Sequence, residues 1–83
     1  MFMALSYWLI NSNRSEVKRF IKNKYNRDQF FDYVFIDSGK VVGILGKEPP
    51  LMKKREEVKI EEARDIWKNL INRGWRRTES VWD

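Results

Sequence analysis

Ala63, Ile66, Trp67, Leu70 and Ile71 fall at i, i+3, i+4, i+7 and i+8, a single apolar stripe at the 3.6-residue period of an α-helix. Glu61 and Glu62 stand in what would be its first turn, where the helix dipole favours anions. Arg73 and Gly74 close it, the glycine suiting a left-handed C-terminal cap. The reverse face, with Glu62, Arg64, Asp65, Lys68, Asn69 and Asn72, reads as solvated surface. The spacing therefore predicts a helix over residues 60–73 with Trp67 in the core. Its stripe has to be buried against another layer, and the remaining signals in the chain are mostly those of strands.

Tyr7-Trp8-Leu9-Ile10 reads as a first strand ending in the polar turn Asn11-Ser12-Asn13-Arg14. Tyr33-Val34-Phe35-Ile36 reads as another, closed by the turn signal Asp37-Ser38-Gly39-Lys40. Val41-Val42-Gly43-Ile44-Leu45 is a candidate second arm of that hairpin, before Gly46 and Pro49-Pro50 break the chain. An extended basic segment follows, then the helix, then a final strand from Trp75 to Val81. Residues 15–25 fit two patterns. Val17, Phe20, Ile21 and Lys24 have helical spacing behind a possible Ser15 cap, while Val17, Arg19 and Ile21 alternate with Lys18, Phe20 and Lys22 as a strand would. Period alone does not choose between them.

Taken in order and spacing, several short pieces resemble a small family of unknown function, the domain-of-unknown-function family numbered 1651, whose members are found mainly in marine cyanobacteria. They are Trp8-Leu9-Ile10-Asn11, Phe20, Val34-Phe35-Ile36-Asp37-Ser38-Gly39, Pro49-Pro50-Leu51-Met52-Lys53-Lys54-Arg55, Glu62-Ala63, Trp67, Leu70, Gly74-Trp75-Arg76 and Trp82. The stretch from Val41 to Gly46 is more apolar than the resemblance implies. The resemblance favours a strand over residues 17–22, hence a hairpin with Tyr7-Trp8-Leu9-Ile10. It brings no activity with it. The fold expected is α+β: a small antiparallel β-sheet with one C-terminal amphipathic helix packed across it and a short final strand, in a single domain over residues 1–83.

Composition narrows function by exclusion. There is no Cys and no His among the 83 residues, which removes disulfides, thiolate nucleophiles, imidazole acid–base chemistry and zinc sites of the Cys/His type. Glu56-Glu57 and Glu61-Glu62 are sequence neighbours, which do not converge on one point, and Gly39-Lys40-Val41-Val42-Gly43 completes no phosphate-binding fingerprint. The expectation is a protein that is not an enzyme and takes no cofactor or metal. The apolar start, Met1 to Ile10, is short, has no basic residue before it and lacks a cleavage site, and no run of about 20 apolar residues exists. A cytoplasmic protein without membrane insertion is expected.

The charge is what points to a ligand. Seventeen Lys and Arg against twelve Asp and Glu give +5, most of the excess lying between Arg14 and Arg27. There Arg14, Lys18, Arg19, Lys22, Lys24 and Arg27 interleave with Phe20 and Tyr25, cations for phosphates and rings for bases. Lys53, Lys54 and Arg55, and then Arg76 and Arg77, add two further basic clusters, the last beside Trp75. If the strands pair as expected, several of these cations share one face of the sheet. The function expected is a small binding protein, regulatory in character, with DNA or RNA on that basic and aromatic surface. The alternative is an interaction module, adaptor or inhibitor, that meets an acidic protein through its basic residues and an exposed tryptophan, foremost Trp82. Either a monomer or a homodimer through an unpaired sheet edge fits the pattern.

Overall fold

The computed structural model describes residues 6–24, 32–43 and 48–78. Within them the chain forms β1 (Ser6–Ile10), β2 (Glu16–Lys22), β3 (Tyr33–Lys40), β4 (Leu51–Lys59), α1 (Ile60–Asn72) and β5 (Arg76–Thr78). All pairings are antiparallel, in the spatial order β4-β3-β2-β1-β5. Four strands make a meander, and the helix carries the chain back across it to the far edge. This is the α+β architecture expected.

The ambiguous segment is a strand, and the turn before it shows why. Asn11 Oδ1 accepts from the backbone N–H groups of Ser15 at 2.8 Å and Glu16 at 2.9 Å, while Arg14 N–H donates to the Asn11 carbonyl at 3.0 Å. Arg14 takes the left-handed conformation, φ 59°, that tightens the turn. Ser15 is thereby committed to the hairpin, its hydroxyl donating to Asn13 Oδ1 at 2.6 Å, and it caps no helix. Val17 then faces Ile10, and Phe20 faces Tyr7.

Alternation divides the sheet into two faces. On one, Leu9, Phe20, Val34 and Ile36 pack with Ala63 and Leu70 of α1, joined by Val58, Ile60, Ile66, Trp67 and Trp75. Trp67 meets Phe20 edge to face at 5.1 Å between centroids and Tyr7 at 6.5 Å. On the other, Trp8, Ile10 and Val17 are buried with Val41 against them. Trp8 thus lies on the opposite face from Trp67 and Trp75, not beside them, because it is adjacent in sequence to Leu9 and a strand alternates. Ile71, at the end of the predicted stripe, is exposed.

Helix α1 follows β4 without a loop or a capping side chain, and the Ile60 N–H is taken up by the Asp32 carbonyl at 3.0 Å. At its far end Arg73 is the C-cap residue and Gly74 has φ 95°. Gly74 N–H bonds the Ile71 carbonyl and Trp75 N–H the Leu70 carbonyl, both at 3.0 Å, with Trp75 and Leu70 in the same core. This is the left-handed cap that Gly74 announced. The final strand is described over Arg76–Thr78, inside the expected span; residues 79–83, including Trp82, lie outside the described residues.

Two sequence expectations fail together. Asp37-Ser38-Gly39-Lys40 is not a turn: β3 continues through Lys40. Its neighbour is not residues 41–45 but the basic segment, now β4; Val41, Val42 and Gly43 are not in a strand, and Ile44 and Leu45 lie outside the described residues. The ladder shifts register between Ser38 and Gly39, leaving Lys53 as the extra residue of a bulge. Gly39 permits this close approach. A Cβ there would stand 2.8 Å from the Leu51 carbonyl oxygen and 3.2 Å from the Met52 Cα, with the Met52 sulfur at 2.7 Å.

Gly39→Ala should accordingly destabilise the fold by about 1–3 kcal/mol, the range for overpacking a tight site. Lys68→Ala, on the exposed face of α1, should move the urea midpoint hardly at all. Equal midpoints for the two variants would contradict the bulge geometry.

Candidate nucleic-acid interface

The cations that look alike in sequence separate once the register is set. Arg19 pairs across the sheet with Trp8 and Asp37, and Asp37 with Arg55, so the four form one row over β1, β2, β3 and β4. Asp37 is 3% exposed and is the one buried charged residue among those described. Arg19 reaches its Oδ2 from Nε and Nη2 at 3.1 and 2.7 Å; Arg55 reaches Oδ1 from Nε at 2.6 Å and Oδ2 from Nη2 at 2.9 Å. The two guanidiniums also lie over rings, Arg19 5.3 Å from Trp8 and Arg55 4.4 Å from Phe35. Burial pushes the Asp37 carboxyl up, but the hydrogen bonds and charges of Arg55 and Arg19 together outweigh it and hold the group below its ordinary value. Arg19 is committed here to structure.

The opposite face offers a different arrangement. Helix α1 begins beside Asp32 at one end of the sheet and leaves it at Trp75, near the β1–β2 turn, where Ser12 lies 3.8 Å from the position a Gly74 Cβ would take. Its path leaves uncovered the corner where β2, β3 and the bulge of β4 meet. In that corner lies a pocket of about 180 Å³ lined by Lys18, Lys40, Lys53, Glu16, Ser38 and Trp75 with the Val17 and Gly39 backbone region. Lys18 donates to Ser38 Oγ at 2.7 Å, and its Nζ stands 6.0 Å from the centre of the Trp75 ring. Three ammonium groups against one carboxylate make the pocket cationic, and the indole gives it an apolar wall.

Of the residues singled out from sequence, Lys18 and Lys53 line this pocket. Lys54 is beside it on β4 but is paired with Glu56 at 2.5 Å, a contact that holds the Glu56 carboxyl below its usual range. Arg77 stacks 4.9 Å from the Tyr7 ring. Arg76 is exposed on the Asp37 face, Arg14 in the β1–β2 turn, Lys24 in the turn after β2, and Lys22 at the end of β2 remote from the pocket. Of the β2 cations, Lys18 and Lys22 share the helix side, as alternation requires, and Arg19 lies on the other face. Tyr25, Arg27 and Trp82 lie outside the described residues. Lys40 and Trp75 were missing from the candidate list. Only the β2–β3 register, Glu16 opposite Lys40 and Lys18 opposite Ser38, brings Lys40 to the corner.

Among the described residues, no cluster of three or more potential metal-ligating side chains occurs, and no helix is long and apolar enough to cross a membrane. Residues 6–82 match the model of a family described as a protein of unknown function, DUF1651. No curated protein and no solved structure matches the chain.

The Asp37 row makes an acid-stability prediction. A carboxyl held below its unfolded value contributes stability that is complete above that value, 3.8, and lost as pH falls through the lower folded-state value. Unfolding midpoints in urea should drop as pH is lowered from 5 toward 3 (values set by the ordinary carboxylate range), and less steeply in Asp37→Asn. At pH 7 Asp37→Ala should cost an amount toward the lower end of the ~3–5 kcal/mol typical of a broken buried pair, because Arg55 remains half in water.

Proposed function

Because the chain belongs to the DUF1651 family, whose function is unknown, we propose its role from the site alone: a small non-enzymatic binding protein that holds nucleic acid in the corner around Trp75. What supports this is the gathering of Lys18, Lys40 and Lys53 around one indole ring. Ammonium groups serve phosphates as point charges, and an indole is the strongest stacking surface a side chain offers a base. The pocket is too small for a duplex to enter, so the ligand in this reading is a single strand, one nucleotide seated and its neighbours tracking along Lys54 and the exposed start of β4. The reading places the protein in the cytoplasm, of a cyanobacterial cell if the family resemblance extends to source, in a regulatory rather than catalytic part.

The acidic-protein alternative draws less support. Its foremost tryptophan, Trp82, lies outside the described residues.

The test is titration of a fluorescent oligonucleotide, RNA and DNA, with heparin run in parallel. Three released counterions set a log–log salt slope of roughly −2 on single strands, from about 0.7 per phosphate. Lys40→Glu with Lys53→Glu should remove most of the binding and leave the urea midpoint in place, since both side chains are solvated at one end. Trp75→Phe should weaken single-strand binding by about 1 kcal/mol, the lower edge of base–aromatic stacking, with no change for heparin. Equal affinity for heparin and for oligonucleotide, unaffected by Trp75→Phe, would replace nucleic acid with an acidic protein partner.

A further inference from the structure

β4 is the longest strand and forms an edge of the sheet, bonded on one side to β3. Such edges are normally blunted by shortness, proline, charge, a bulge or a covering element, and of these β4 has the bulge at Lys53 and the charges of residues 53–57. Here residues 51–57 are all exposed, Leu51 at 57% and Met52 at 36%, and no proline lies within the strand. The other edge, β5, has three residues. A row of backbone donors and acceptors is thus presented along β4.

The charges along β4 are ordered. Lys53, Lys54 and Arg55 come first and Glu56 and Glu57 follow. A strand with a basic half and an acidic half complements its own copy when the copy runs antiparallel, and repels it when the copy lies parallel in register. We propose that two copies of this chain pair antiparallel through β4, joining their sheets into one of ten strands about a two-fold axis perpendicular to the sheet.

Such an axis keeps each residue on its own face, so partners across it must share parity along the strand. With the axis at Arg55, Lys54 of each copy stands opposite Glu56 of the other, twice, on the helix side. The residue on the axis meets itself. Arg55 suits that position because Asp37 draws its guanidinium inward over Phe35, away from the edge. Shifting the axis to Glu56 would set two carboxylates face to face with no such withdrawal. The apolar ends of the strand, Leu51 and Met52 at one and half-buried Val58 at the other, are then brought alongside each other. The two-fold axis makes the contact self-complementary, so pairing through β4 uses that edge of both copies and closes at two for this interface.

Sedimentation velocity on nuclease-treated protein at about 100 μM, where a small interface should be populated, reads this directly. The wild type should sediment as two chains, and both Lys54→Glu and Glu56→Lys should sediment as one, each now facing its own charge across the axis. Mixing the two variants should restore the dimer, because each then meets the opposite charge in the other; this mixture also shows that neither variant is misfolded. A wild type that sediments as one chain, single variants that remain dimeric, or a mixture that stays monomeric would each overturn the proposal. Oligonucleotide is absent throughout, so the outcome is independent of the nucleic-acid reading.

Discussion

Asp37 is where the sheet is held to a single arrangement. Its carboxylate is the shared acceptor for arginines on both neighbouring strands, and those arginines lie over Trp8 and Phe35. A buried ion pair is weak ground for claiming net stability, since desolvation offsets much of the attraction. Its effect on register is stronger. Slipping β3 by one residue would carry Asp37 to the helix side, among Leu9, Phe20 and Leu70, with neither arginine in reach. The apolar residues of a sheet tolerate approximate pairing better than a charge does, and this charge removes the alternatives.

The cations then sort by what the register leaves them near. Arg19 and Arg55 are held by Asp37 and by rings, so their charge is spent within the fold. Lys18, Lys40 and Lys53 converge where α1 no longer covers the sheet. Lys54 belongs to the outer edge, beside Glu56. The chain's positive balance alone does not separate a counterion from a binding surface; the parity of each residue along its strand does.

That is also the limit of what could be read before the structure. The helix was legible because its signals are local: a stripe of more than two turns, acids at its start and Gly74 at its end. The β1–β2 turn was legible for the same reason, in Asn11-Ser12-Asn13-Arg14. Asp37-Ser38-Gly39 misled because the same residue types that favour turns can serve non-local needs, a counterion for two distant arginines and a gap for the approaching Leu51 and Met52 backbone. Once the turn was misplaced, β4 was lost with it, since a run as charged as Lys53 to Glu57 carries no alternation of apolar residues to mark it as a strand. In the candidate site, Lys18 and Lys53 were visible as members of basic clusters. Lys40 and Trp75 were not, because the pocket is assembled from three strands and the end of the helix, and no stretch of sequence holds it.

Three of the four ladders join strands that follow one another along the chain, whereas β5 reaches β1 only after the helix has traversed the sheet. Among the described residues, closing that last ladder orders the most chain for the fewest pairs, those opposite Trp8, Leu9 and Ile10. The molecule should therefore open in parts, with β5 and the helix cap exchanging their amide hydrogens well before the β2–β3 centre, whose exchange follows global unfolding. Trp75 sits at the hinge of that opening, bonded to Leu70 behind it and leading into β5 ahead. Each time the C-terminal strand detaches, the indole can leave the corner above Lys18. The pocket is in this sense a property of the least persistent part of the fold, present for as long as its final ladder is closed.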